Sequence, residues 1–408
     1  MADSNVPSIR FQGFTDPWEQ RKLGDCGTTY SGLSGKTKED FGHGEARFVP
    51  YTNVFDNPVA DADRLEAIEI DHRQNEVRRG DALFTVSSET PEEVGMSSVW
   101  PVNKPNVYLN SFCFGYRQNG TFDSEYLAYM LRSSEVRAQM TLLAQGISRF
   151  NISKSKVMEL SVPTPGLAEQ QAIGRFFSRL DALITLHQRK YDKLVVLKKS
   201  MLEQMFPREG ESVPRIRFSG FTDPWEQRKL GELYENRDER GNDDLQILSV
   251  SIYGGVSDGS LTSDELGKNV RRSEDKSLYK KVESGDIVLN MMRAWQGAIG
   301  TASVKGMVSP AYIVAKPLSP QDQRFFDVLL RRHSIVNQMN DLSYGVTDFR
   351  KRLYWDSFVR VTVDCPSLAE QQAIGRFFSR LDALITLHQR KLALLQNIKK
   401  SLLDKMFV

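Results

Sequence analysis

From Leu167 to Phe206 the chain carries an apolar stripe at helical spacing. Ile173, Leu180, His187, Leu194 and Met201 recur once per heptad. Phe176, Leu183 and Leu197 follow three residues later, with Phe177, Ile184, Tyr191 and Met205 alongside. That pattern predicts a long amphipathic helix with a coiled-coil seam. No proline falls within it and its only glycine is Gly174. At 1.5 Å per residue, a helix of about forty residues spans roughly 60 Å. A second stretch from Leu368 repeats the pattern, with Ile374, Phe377, Leu381, Leu384, His388 and Leu395 as its seam. Ser367 stands three residues before Glu370 and just after Pro366, a capping-box start.

The two stretches are copies. LAEQQAIGRFFSRLDALITLHQRK occurs at Leu167–Lys190 and again, unchanged, at Leu368–Lys391. A second duplicated segment opens each half: IRFQGFTDPWEQRKLGD at Ile9–Asp25 and IRFSGFTDPWEQRKLGE at Ile216–Glu232. They differ only at Gln12/Ser219 and Asp25/Glu232. The period is far too long for a solenoid, so the repeat means two whole modules. Between the frames lie divergent blocks, Cys26–Gly166 and Leu233–Ser367. Their elements still run in one order. RRGDALFTV (Arg78–Val86) parallels ESGDIVLNM (Glu283–Met291), a Gly-Asp turn entering a β-type run. YLAYMLRSSEVRAQM (Tyr126–Met140) parallels FFDVLLRRHSIVNQM (Phe325–Met339) with helical periodicity. Alternating runs, LSVP at Leu160–Pro163 and FVRVTV at Phe358–Val363, precede the long helices. The expected fold is α+β, two globular domains in tandem, with Trp18 and Trp225 as core anchors.

This reading divides the chain into a first module (1–165), a central long helix with linker (166–212), a second module (213–366) and a final long helix (367–408). Only Pro207–Ser212 separates the first helix from the second module. If the helices pack together, they must run antiparallel as a coiled coil with pseudo-two-fold symmetry and a module at each end. His187 and His388 then fall near the helix midpoints. Two readings remain for them, polar residues tolerated in the seam or a pair that sets helix register.

Composition narrows the class. Lys and Arg number 54 against 52 acidic residues, a net charge of +2, which neither demands nor excludes nucleic acid. Cys26, Cys113 and Cys365 have no paired or metal-type spacing, as expected in a reducing compartment. No secretory leader and no apolar run of membrane-spanning length is present, so a cytoplasmic protein is expected. GLSGKT (Gly32–Thr37) resembles a phosphate loop, but Tyr30 occupies the place of its first glycine. His43 lacks a ligand partner at metal spacing. No G-x-S-x-G, H-E-x-x-H, G-x-G-x-x-G or Asn-Pro-Pro-aromatic segment occurs. A non-catalytic chain is the expectation.

Binding signals are stronger. After Gly146 come Arg149, Asn151, Lys154 and Lys156; after Gly345, in the matching loop, come Arg350, Lys351 and Arg352. MMRAWQG (Met291–Gly297) adds Arg293, Trp295 and Gln296. Arg and Lys neutralise phosphates, while Arg, Asn and Gln can hydrogen-bond base edges. Two different loops on a repeated frame imply two unlike half-sites separated by a spacer.

These residues carry a resemblance over essentially the whole chain. The WEQRKLG openers, GDIVLNMMRAWQGAIG with GMVSPAYIV (Gly285–Gly300, Gly306–Val314), and the helix starts Pro165–Ile173 and Pro366–Ile374 resemble specificity subunits of type I restriction-modification systems. SSETPEEVG (Ser87–Gly95) resembles target-recognition segments of that family and adds Ser87, Ser88, Glu89 and Thr90 as candidate DNA contacts. The resemblance implies two target-recognition domains reading the halves of a bipartite, asymmetric site in double-stranded DNA. It implies a helical pair that acts as spacer and docks two methyltransferase subunits, with restriction/translocase subunits joining. S-adenosylmethionine, ATP and Mg²⁺ would belong to those partners and not to this chain. Two other classes remain open on the residues alone: a stand-alone bipartite DNA-binding regulator and a non-catalytic coiled-coil scaffold.

Overall fold

A computed structural model describes residues 6–252, 254–257, 277–345 and 351–407. The chain forms two compact units, 1–188 with 390–408, and 189–389. Each unit therefore takes in part of both long helices, Leu167–Gln204 and Leu368–Lys405. Among the described residues no helix is long and apolar enough to cross a membrane.

In the first unit the opener strand Glu19–Lys22 pairs antiparallel with Ser161–Thr164, which leads directly into the long helix. The central sheet has four antiparallel strands in the order Gly27–Ser31, Cys113–Gln118, Ala82–Thr85 and Ser97–Val99. The second unit repeats this plan. Glu226–Lys229 pairs with Thr362–Cys365, and its sheet runs Tyr234–Asn236, Tyr312–Pro317, Ile287–Asn290, Ile299–Thr301. The Gly-Asp turns sit where the alternation places them. Gly80 and Gly285 take φ of +87° and +100°, backbone that favours glycine. The aspartate that follows is buried and held by arginine: Arg117 Nε and Nη2 donate to Asp81 at 3.0 and 2.7 Å, and Arg237 Nε and Nη2 to Asp286 at 2.7 and 3.0 Å.

The single helical stretch expected in each block is two helices. Ser124–Met130 ends at Leu131, and Ser134–Leu142 starts afresh because Ser133 adopts extended backbone and caps it through Val136 N–H. The second unit breaks likewise between Gln323–Leu329 and His333–Leu342, at Arg332. FVRVTV also divides: Phe358 ends the short helix Trp355–Phe358, and the strand starts at Thr362.

Within each unit the start of one long helix lies antiparallel to the end of the other. In the first, Phe177 meets Phe407 at 5.9 Å between ring centroids and Asp181 Oδ1 pairs with Lys399 Nζ at 2.6 Å. In the second, Phe378 meets Phe206 at 6.1 Å and Asp382 Oδ1 pairs with Lys198 Nζ at 2.5 Å. The same contacts form twice with the helices exchanging roles. The seam alternates by four and three residues: Ile173, Phe177, Leu180 and Ile184 in one copy, Ile374, Phe378, Leu381 and Ile385 in the other. This corrects the expected phase at four positions. Leu183 and Leu384 are 47% and 45% exposed, off the seam, while Phe176 and Phe377 turn toward the opener phenylalanines Phe11 and Phe218. Both members of each Phe-Phe pair fit a helical stripe, so periodicity alone could not choose between them. Leu194, Leu395, His187 and His388 are partly buried, and Leu395 packs against the core of the first unit.

The frame explains its own repeated letters. Gln170 Oε1 accepts from Asp123 N–H at 2.8 Å, and Gln371 Oε1 from Asp322 N–H at 3.1 Å, fixing each long helix to the cap of a domain helix. At Gly174 an added Cβ would lie 2.6 Å from Tyr126 N, and at Gly375 2.9 Å from Phe325 N. These glycines permit close helix approach.

Candidate nucleic-acid interface

In the first unit, Ser87–Ser88 leaves the end of the central sheet and pairs antiparallel with Phe150–Asn151, in register Asn151↔Ser87 and Phe150↔Ser88. Ile152 N–H donates to Val86 O at 2.9 Å. Above this strip the chain closes a hairpin through reciprocal bonds between Gln145 and Asn151, at 2.9 and 2.8 Å. Arg149 Nε and Nη2 donate to the buried Ser87 Oγ at 3.2 and 3.0 Å. Its guanidinium lies over the Phe112 ring, 6.0 Å from the centroid. Tyr51 donates its hydroxyl to Ser87 O at 2.7 Å and stacks on Phe55. The result is an open groove of about 800 Å³ lined by Tyr51, Phe55, Ser88, Glu89, Phe112 and Arg149 among others.

Of the residues expected from sequence, Ser87, Ser88, Glu89 and Arg149 come together here, and Asn151 lies in the paired strand. Thr90 follows at the start of the turn Pro91–Glu93. Lys154 instead donates to Ser31 Oγ at 2.6 Å, and Lys156 pairs with Glu159 at 3.0 Å. Sequence reasoning missed Tyr51 and Phe55, both on the short helix Tyr51–Asp56, and Phe112 from a distant segment, with no shared motif.

Two arginines from the interrupted helices hold this edge from beneath. Arg137 donates to the carbonyls of Glu92, Val94 and Gly95 at 2.7, 2.6 and 2.8 Å. Arg132 does the same for Val54, Phe55, Asn57 and Ser97. Burial pushes both guanidinium groups down to about 10, still charged at neutral pH. Each replaces its hydration with carbonyl dipoles and so rigidifies the loop segments.

The second unit builds the corresponding edge from different letters. Leu353 N–H donates to Met291 O at 2.9 Å, the counterpart of the Ile152–Val86 bond, and Tyr344 and Arg352 exchange backbone bonds at 3.1 and 3.0 Å as Gln145 and Asn151 do. MMRAWQG therefore occupies the position of SSETPEEVG. Arg293 and Gln296 are exposed on the turn Ala294–Gln296, while Trp295 Nε1 donates to Met292 O at 2.9 Å. Arg352 reaches Met292 Sδ at 4.0 Å and Lys351 donates to Asn340 Oδ1 at 2.9 Å. Tyr344 packs against Tyr354 with ring centroids 4.7 Å apart and planes tilted by 32°, an aromatic pair not foreseen from sequence. Arg350 lies outside the described residues.

The other chemical candidates dissolve into structure. Lys36 of GLSGKT pairs with Asp71 at 3.0 Å; Arg73 and then Lys36 hold the Asp71 carboxyl far below its usual range, and a short turn, Lys38–Asp40, follows the motif. The three cysteines are buried and unbridged; burial pushes Cys113 and Cys365 up to about 12. Among the described residues no group of three or more His, Cys, Asp or Glu side chains is placed to hold a metal ion.

The comparisons agree with this arrangement. The family described as type I restriction modification DNA specificity domain matches twice, at residues 15–195 and 222–397. The chain is 23% identical to the putative type I restriction enzyme MjaX specificity subunit of Methanocaldococcus jannaschii, over 98% of this chain and 95% of that one. It is 24% identical to the type I restriction enzyme MjaVIII specificity subunit of the same organism, over 88% of this chain and 84% of that one. Its fold is similar to that of a crystal structure of a type I restriction-modification system S subunit from M. genitalium, with TM-score 0.56, 16% identity and 99% of each chain covered. The chain belongs to this family, the specificity subunits of type I restriction-modification systems, and carries its DNA specificity domain twice.

Proposed function

We propose that each unit reads one half of a bipartite, asymmetric site in double-stranded DNA, and that the chain itself performs no bond chemistry. The observation that carries this reading is the contrast between frame and edge. Duplicated openers and helices are held by duplicated bonds, while the two exposed edges present Ser, Glu and Arg in one unit and Arg, Trp and Gln in the other. Unlike edges on like frames suit unlike half-sites. Each half-site contact alone is weak, and joining two on one chain raises the effective concentration of the second.

The long helices serve as spacer and as docking frame for two methyltransferase subunits, which bring S-adenosylmethionine. Restriction/translocase subunits add ATP and Mg²⁺. The complex works in the cytoplasm, where its DNA is. The test is long-read sequencing of base modification in cells expressing the chain with its methyltransferase subunits. An interrupted, asymmetric modified motif is expected, and exchanging the block 26–166 changes one half of it. No modified motif, with the complex recovered intact, overturns the reading.

A further inference from the structure

Resting on the specificity-subunit reading, we propose that the hairpin 145–151 is the base-reading element of the first unit, with Arg149 donating to a guanine edge and Ile147 packing on the neighbouring base. The hairpin is anchored at its base and bare at its tip. Phe150 packs on the core of the unit, whereas Ile147, three residues earlier, is 98% exposed. Gly146 turns the chain at φ +141°, where any Cβ would run into Arg149 O. A single exposed apolar side chain is ordinary. Here it crowns a closed hairpin whose next residues, Ser148 and Arg149, line the groove with the half-exposed Phe112.

Arg149 is preorganised. Two of its N–H groups are committed to Ser87 Oγ, which is itself buried and separated by one residue from the end of the strand Ala82–Thr85. A guanidinium has five donors, so others remain for the O6 and N7 acceptors of guanine. Phe112 supplies a flat apolar shelf beneath the charge and limits its swing. Glu89 and Glu93 line the same groove. A duplex phosphate approaching them is repelled, whereas a cytosine amino group paired to that guanine can be accepted by a carboxylate. The groove chemistry thus favours a base edge over backbone. In the second unit Tyr344 and Arg352 exchange the corresponding pair of backbone bonds, so the anchored base is part of the repeated plan.

The experiment expresses the full chain, wild type, Arg149→Met or Ile147→Ser, with its methyltransferase subunits and reads modified motifs by long-read sequencing. Arg149→Met is expected to relax one guanine position in one half-site, cutting its discrimination by roughly five- to hundred-fold. Ile147→Ser, at an exposed tip, leaves folding intact and weakens preference at the adjacent position only. The other half-site stays unchanged in both. Wild-type motifs in both variants overturn the inference while leaving the specificity reading standing. Altered preference in both half-sites alike overturns it too, since it points to general weakening. A wild-type chain that directs no modification overturns the underlying reading itself.

Discussion

Arg10 and Glu169 form a two-pronged pair across the frame of the first unit: Arg10 Nε and Nη2 donate to the two carboxylate oxygens at 2.6 and 2.8 Å. Arg217 and Glu370 repeat it at 2.7 and 2.7 Å. Each arginine also donates to an opener carbonyl, Asp16 O or Asp223 O. The pair ties the opener to the first turn of a long helix, where a carboxylate also suits the helix dipole. Replacing Arg10 by Ala leaves Glu169, which is buried, with only Trp18 Nε1 as donor among the described residues. A loss of about 1.5–3 kcal/mol is expected, the usual worth of hydrogen bonds to a charged group. Denaturant unfolding of the variant measures it, and an unchanged midpoint would refute the clamp.

Gly174→Ala pits two effects against each other. Alanine favours a helix interior over glycine by about 1 kcal/mol. The new methyl would sit 2.6 Å from Tyr126 N and 2.8 Å from Glu125 Cβ, both in the packed start of the domain helix. Neither can yield without moving backbone, so the substitution is expected to destabilise, by about 1–3 kcal/mol for overpacking. Thermal unfolding reads the sign. A stabilised variant would show that the helices are free to separate.

Phe407 lies among Trp18, Tyr126 and Phe177 with ring centroids at 6.4, 5.7 and 5.9 Å. Truncation to Ala removes a buried aromatic from the principal core of the first unit and is expected to cost about 3–5 kcal/mol. Phe206→Ala does the same to the second unit, where Arg332 also covers the ring at 4.5 Å. Calorimetry should show each variant lowering chiefly the transition of its own unit. Equal loss from both transitions would contradict the assignment.

Arg137→Met keeps the aliphatic stem but strips the donors from three loop carbonyls. Segment 92–95 then loses its anchor beneath the reading edge. A stability loss of about 1–3 kcal/mol is expected from unsatisfied groups, with faster amide exchange around residues 92–95. Exchange unchanged there would mean the carbonyls find other donors.

What was legible in the sequence was what repeats. Two identical helices and two near-identical openers announced the frame, and the Gly-Asp turns entering apolar runs located the sheets. The seam phase escaped because Phe176 and Phe177 are equally apolar, and the choice falls to Phe11 packing on the former. The helix break at Ser133 escaped because a serine among helix formers signals a cap only once backbone geometry is known. Arg132 and Arg137 lie within the stretch whose periodicity predicted helix, and nothing in that pattern marks them as the loop clamps they are. The groove escaped in part because its aromatics come from two distant segments, the helix Tyr51–Asp56 and the chain at Phe112, whereas Ser87 and Arg149 were visible within suspect stretches.

The exchange of helix ends has a consequence for how the protein is made. The first unit comprises 1–188 together with 390–408, while the second is the continuous run 189–389. During synthesis the second unit has all its residues before the first does. Met406 and Phe407, translated after the whole of the second unit, complete a core whose other buried members lie between Trp18 and Leu180. Domains of a nascent chain generally fold in the order they are made; here the order of completion is reversed. The first unit must wait with Trp18, Tyr126 and Phe177 incompletely covered until its distant closing segment arrives, so the earliest module to be translated is the last to be sealed.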